Sequence, residues 1–195
     1  MLTLYHAPRS RSTRFLWLLE EIGAPYSVVR VEIRRPDGSG APDPRNPHPD
    51  GKVPALVHDD ALVTESTAIA LYLSDAFPGA RVGPAVGDPL RGPYLTWLAW
   101  YAAELEPAVV AKAVGRTEQD ATQARAYDAV VARLRGVLEQ GPHLLGESFS
   151  AADVLVTSVF QWGRHLLPAG APFDDYVART SARPALRKAM AKDDA

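Results

Sequence analysis

Lys52, Pro54, Glu65 and Ser66 are the residue types that can hold an anion and an amine side by side. Ser66 opens an apolar helical run, so its hydroxyl and backbone N–H fall where a helix leaves its first donors unpaired, a natural place for a carboxylate. Glu65 beside it can hold an ammonium group. Upstream, Val53-Pro54 opens a short strand. Proline has no N–H for the ladder, so the backbone should leave the sheet there. A cis bond would turn the N–H and C=O of Val53 towards whatever lies in front of the sheet. Together the set suits a zwitterionic, peptide-like ligand, with its backbone on Val53, its carboxylate on Ser66 and its ammonium on Glu65.

The run K-V-P-A-L at 52–56 precedes E-S and a helix, and the chain opens with L-Y-H-A-P-R-S-R-S-T-R at 4–14. These motifs resemble the glutathione-binding half of the glutathione transferases. S-A-A-D at 150–153, after L-L-G at 144–146, is similar to the family's second-domain signature. The resemblance implies an α/β plus all-α protein, a thioredoxin-like N-terminal domain followed by a helical bundle, in which Lys52 faces the glycine carboxylate of glutathione. It also implies a homodimer that uses reduced glutathione as co-substrate, with no metal, and directs the thiolate at a small hydrophobic electrophile or a peroxide. The alternatives are a glutathione-dependent peroxidase and a non-catalytic carrier or interaction protein on the same fold.

Glutathione's thiol is mostly protonated at neutral pH, whereas the nucleophile is the thiolate. A hydroxyl donor and a helix N-terminus favour the anion. The loop after the first strand offers both. The spacing of Tyr5, Pro8, Ser10 and Arg14 resembles the delta and theta classes, in which a serine followed four residues later by arginine partners the thiol, so Ser10 is the expected donor. Ser12 competes with it, as helix cap or as alternative donor. Tyr5 aligns with the catalytic tyrosine of other classes, although a place in the opening strand also suits a core residue. Arg11 either stabilises thiolate charge or is a solvated loop arginine.

With no cysteine in the chain, chemistry through an enzyme thiol is excluded. The opening also lacks the serine-cysteine pair and following tryptophan-arginine expected of maleylacetoacetate isomerase. Tyr94, Trp97, Trp100 and Tyr101 recur at helical spacing and form either an aromatic wall for the electrophile or a core stripe. The histidines show no metal-ligand spacing, and His48 and His58 read as surface or packing residues.

The elements that must position these residues follow from periodicity. Residues 2–5 make an apolar strand and 8–12 a polar loop. Phe15, Leu16, Leu18, Leu19 and Ile22 mark a helix ended by Gly23. Residues 26–33 alternate as a second strand, parallel to the first by a right-handed crossover. Residues 34–51 are rich in proline and glycine and read as a long loop. A hairpin around Asp59-Asp60 then feeds the helix from Glu65. The expected domains are 1–78 and 94–195, joined by a linker at 79–93.

In the second domain a kink is expected at Pro107, a capping box at Thr117 and Asp120, and a central apolar helix opened by Ser150 and Asp153. The tail reads as a helix begun by Pro184, with a frayed end at 193–195. A net charge of -2 gives no basic excess for nucleic acid, and no stretch is long and apolar enough for a membrane, so a cytoplasmic protein is expected.

Overall fold

The computed structural model describes residues 1–194, and the chain divides into two compact units. Met1–Ala80 clusters with the last helix, and Arg81–Arg183 forms the second unit.

The first unit is built on four strands, β1 (Leu2–His6), β2 (Ser27–Arg30), β3 (Ala55–His58) and β4 (Ala61–Thr64). Their order is β2-β1-β3-β4, with β1 and β2 parallel and the other pairs antiparallel. This is the thioredoxin-like sheet. Helix α1 (Thr13–Ile22) makes the crossover from β1 to β2 and buries Phe15, Leu16, Leu18 and Leu19. Gly23, at φ 72°, ends it in the left-handed conformation that glycine takes without side-chain cost.

β2 is shorter than its sequence pattern, but the alternation holds: Val29, Val31 and Ile33 share one apolar cluster, and the Val31 N–H still bonds the carbonyl of His6. Helix α2 (Ser66–Ala76) follows β4 directly.

The second unit is helical: α3 (Arg91–Trp100), α4 (Glu106–Ala113), α5 (Ala121–Leu138), α6 (Ala151–Gly163) and α7 (Phe173–Ser181). A π-helical turn, Tyr101–Leu105, separates α3 from α4. It answers the expected kink at Pro107: the proline has no N–H to give the preceding turn and its ring crowds the carbonyl four residues back, which a wider turn relieves. At α5 the cap is Asp120, whose side chain accepts the Thr122 N–H at 2.7 Å, while Thr117 lies in a preceding 3-10 turn. Asp120 therefore begins the helix rather than closing a box opened by Thr117.

α6 is the central helix, with its residues 151–160 all buried. Ser150 and Asp153 form the capping box, and the Asp153 carboxylate also accepts the Leu144 N–H and the Tyr176 hydroxyl at 3.0 and 3.1 Å. Among the described residues no helix is long and apolar enough to cross a membrane.

The last helix, α8 (Pro184–Asp194), packs on α1. It does not fray at 193: Asp193 is 1% exposed. Ala195 lies outside the described residues.

Candidate active site

β3 and β4 place the first group. The Val53-Pro54 bond is cis, and Val53 and Pro54 are buried where the chain enters β3. Lys52 is exposed, its ammonium 3.1 Å from Asp50, and Asn46 holds the Lys52 carbonyl at 2.9 Å. His48 shapes the same loop by accepting the Asp50 N–H, and His58 pairs with Tyr72 and stacks on Phe77, so both serve packing.

At the end of β4, Glu65 is exposed and stands at φ 66°, ψ 130°, a sparsely populated conformation for any residue with a Cβ. It turns the chain abruptly into α2. Among the described residues no side chain caps that helix, as is also true of α1, α3, α4 and α7. The first turn of α2, beginning at half-buried Ser66, therefore presents backbone N–H groups and the positive end of the helix dipole without a built-in acceptor.

The loop between β1 and α1 places the second group. Ser10 is half-buried; its Oγ lies 2.7 Å from the Ala7 carbonyl and 2.8 Å from Ser12 Oγ, and it accepts the Ser12 N–H at 3.2 Å. Ser12 is fully buried, with its Oγ accepting the Ala7 N–H at 3.1 Å and lying 2.8 Å from His6 Nδ1. Tyr5 packs from β1 against the cluster of Ala7, Val31 and Val53. Arg11 is exposed, and Arg14 is buried on α1.

The cluster that Ala7 shares with Val53 holds the end of β1 against the chain entering β3, and the Ser10 hydroxyl lies 2.7 Å from the Ala7 carbonyl of the same region. The sequence pattern alone does not point to three residues of this region: His6, Thr13 and Asp193. Asp193 accepts the Arg9 N–H at 3.1 Å and the Thr13 hydroxyl at 2.6 Å, and lies 3.2 Å from His6 Nε2.

In the second unit Tyr94, Trp97 and Tyr101 are 0%, 8% and 1% exposed. Trp97 and Trp100 meet edge to face at 5.1 Å, the Arg133 guanidinium lies about 5 Å over both rings, and the Tyr101 hydroxyl donates to Glu106. All four rings are therefore buried and packed within the helical unit. Among the described residues no cluster of three or more histidine, aspartate or glutamate side chains is arranged to hold a metal.

The N-terminal domain model of the glutathione S-transferases matches residues 1–75, and their C-terminal domain model matches residues 96–189. The chain is 34% identical over 115 residues to glutathione S-transferase 3 of Schizosaccharomyces pombe, a match covering 58% of this chain and 46% of that protein, so it spans less than half of that relative's length. It is 26% identical over 162 residues to glutathione S-transferase GstA of Escherichia coli O157:H7, covering 82% of this chain and 81% of the relative. A solved sphingomonad glutathione S-transferase complexed with glutathione superposes with a TM-score of 0.81 at 28% identity, over 98% of each chain. With two domain models in the expected order, relatives of the same name and a matching fold, the chain belongs to the glutathione S-transferase family.

Proposed function

We propose that the protein is a glutathione transferase, binding reduced glutathione on its first unit and directing the thiolate at a small electrophile. The observation that carries this reading is the Glu65-Ser66 corner: an unusual backbone turn delivers a carboxylate and an uncapped helix N-terminus side by side. The α2 N-terminus with Ser66 takes the carboxylate of the γ-glutamyl group, and Glu65 takes its ammonium. Val53 pairs with the peptide backbone, and Pro54 leaves that part of the strand edge open. Lys52 turns from Asp50 to the glycine carboxylate, and Arg11 adds positive charge beside the sulfur.

Ser10 is the thiolate donor in this reading. Its hydroxyl is half-buried and rests on acceptors of its own loop, which a thiolate displaces, whereas the buried Ser12 hydroxyl has His6, Ala7 and Ser10 around it. Tyr5 serves the wall of the pocket through its packing on Ala7 and Val53. Tyr94, Trp97 and Tyr101 are the proposed second-substrate residues, of which Trp97, at 8% exposed, is the least buried. The assembly is a cytoplasmic homodimer that removes reactive electrophiles.

The test is calorimetric titration with reduced glutathione, followed by the ultraviolet absorbance of the bound thiolate and turnover of an aryl halide. Saturable binding with thiolate formation and turnover supports the reading. Failure to bind at millimolar ligand, where the standard free energy is only about -4 kcal/mol, would overturn it. Sedimentation at the mass of one 21.1 kDa chain would overturn the dimer.

A further inference from the structure

A buried carboxylate on the last helix of the first unit meets the serine loop. Asp193 is 1% exposed and faces three groups around Ser10: the Arg9 N–H at 3.1 Å, the Thr13 hydroxyl at 2.6 Å and His6 Nε2 at 3.2 Å. Arg9 holds φ 53°, a left-handed conformation that a non-glycine residue adopts at a cost, and its N–H is the one Asp193 accepts. Arg30 of β2 closes the other side, its guanidinium donating to the carbonyls of Lys192 and Asp193 at 2.6 and 3.2 Å.

We propose that Asp193 is a positioning residue for Ser10: its carboxylate clamps the serine loop at three points, so that the Ser10 hydroxyl stands ready for a thiolate. The inference rests on the transferase reading for its chemistry, and on geometry alone for the clamp. Ser10 lies inside the clamped segment. Its N–H faces Thr13 Oγ1 at 3.4 Å, its Oγ rests on Ala7 and Ser12, and Ser12 in turn meets His6.

The clamp also sets the direction of the hydrogen bonds. His6 is fully buried, and burial holds its pKa down at about 4, with the Asp193 charge opposing and that of Arg30 assisting, so the ring is neutral near pH 7. A neutral imidazole has one donor and one acceptor nitrogen. The Asp193 carboxylate can only accept, and although the contact is off the line of an ideal bond, Nε2 has no better-aligned partner among the described residues. The ring proton is therefore on Nε2.

Nδ1 accepts the Ser12 hydroxyl at 2.8 Å. With its single proton spent on His6, Ser12 can only accept from Ser10. The Ser10 proton is thus the free end of the chain, resting on Ser12 Oγ or the Ala7 carbonyl until a thiolate takes it.

Asp193→Asn tests this. Asparagine offers one acceptor oxygen and one donor nitrogen to three donors, so at least one clamp point is lost. In unliganded wild type, nitrogen NMR of the His6 ring should report the Nε2–H tautomer, and in Asp193→Asn the population should move towards Nδ1–H. An Nδ1–H ring in wild type overturns the clamp, with or without glutathione.

In the liganded protein, Asp193→Asn should raise the pKa of the bound thiol by about one unit, a tenfold smaller thiolate fraction, with the dissociation constant of glutathione little changed. An unchanged thiol pKa in a folded Asp193→Asn overturns the positioning role, because a purely structural contact would move only the melting temperature. If that variant fails to fold, Thr13→Val removes one clamp point and should shift the thiol pKa in the same direction; no shift again overturns the role. Absence of thiolate in wild type itself would instead remove the transferase reading, and the His6 tautomer would still decide the clamp.

Discussion

Ala7 and Val53 meet in one buried apolar cluster, 1% and 7% exposed, with Val31 beside them and Tyr5, Val29 and Ile33 packed around. The serine loop and the Pro54 entry are therefore held together by side-chain packing, and a ligand spanning the two depends on that packing for its fit. Val53→Ala should lower stability by about 1 to 2 kcal/mol through the lost methyl groups and the space left behind. It should also weaken glutathione binding although the backbone groups at residue 53 are unchanged. Urea unfolding paired with calorimetry checks both, and undiminished affinity in a destabilised variant would show that the cluster does not shape the site.

The two loop serines should separate cleanly. Ser10→Ala takes a half-buried hydroxyl from the loop's outer end, so stability should change little while turnover falls on the order of tenfold to a hundredfold with affinity nearly intact. Ser12→Ala leaves the Ala7 N–H and His6 Nδ1 without their buried partner and should cost about 2 to 3 kcal/mol of stability. Turnover and melting temperature measured on both variants decide it: wild-type turnover in Ser10→Ala would move the thiolate role elsewhere.

Much of this site was legible because its signals are local. Pro54, the Asp59-Asp60 turn and the start of α2 at Ser66 are each marked by residues that act within a few positions of themselves. The alternation of Val29, Val31 and Ile33 revealed which face of β2 is buried even though the strand ends at Arg30. Asp193 was not legible in the same way, since its partners His6 and Thr13 lie at the other end of the chain and only the packing of α8 on α1 brings them together. Yet a signal existed: Ala185, Leu186, Ala189 and Asp193 fall on one helical stripe, so the aspartate continues the buried face of α8 where a frayed end was expected. The aromatic residues of α3 had the opposite problem, since identical spacing serves a ligand wall and a packed core, and spacing carries no information on how deeply each ring is buried.

Glu65 carries a testable backbone cost. At φ 66°, ψ 130° its Cβ is strained by roughly 1 to 3 kcal/mol, and glycine relieves that strain while losing about 0.5 to 1 kcal/mol to its own chain freedom. Glu65→Gly should therefore be as stable as wild type or more so, yet bind glutathione more weakly for want of the carboxylate. Glu65→Ala keeps the strain and loses the carboxylate, so it should bind weakly with no gain in stability. Denaturant midpoints and calorimetric titrations of the two variants check the pair; a destabilised glycine variant would mean that the backbone is not strained.

The buried ring of His6 predicts a specific acid sensitivity. Its pKa is lowered from 6.5 to about 4 in the folded protein, chiefly by burial, so between these values the unfolded chain binds the proton and the native state does not. Stability from this group is thus complete above about pH 6.5 and is lost as pH falls through 6.5 towards 4, amounting to about 3 kcal/mol at most. His6→Gln removes the titrating group while keeping a hydrogen-bonding side chain, so it should be less stable near neutral pH but show a flatter decline in acid. Unfolding free energies measured across that window for both proteins test the sign. Parallel curves would mean that the ring titrates normally, and therefore that it is not enclosed between Ser12 and Asp193 in solution.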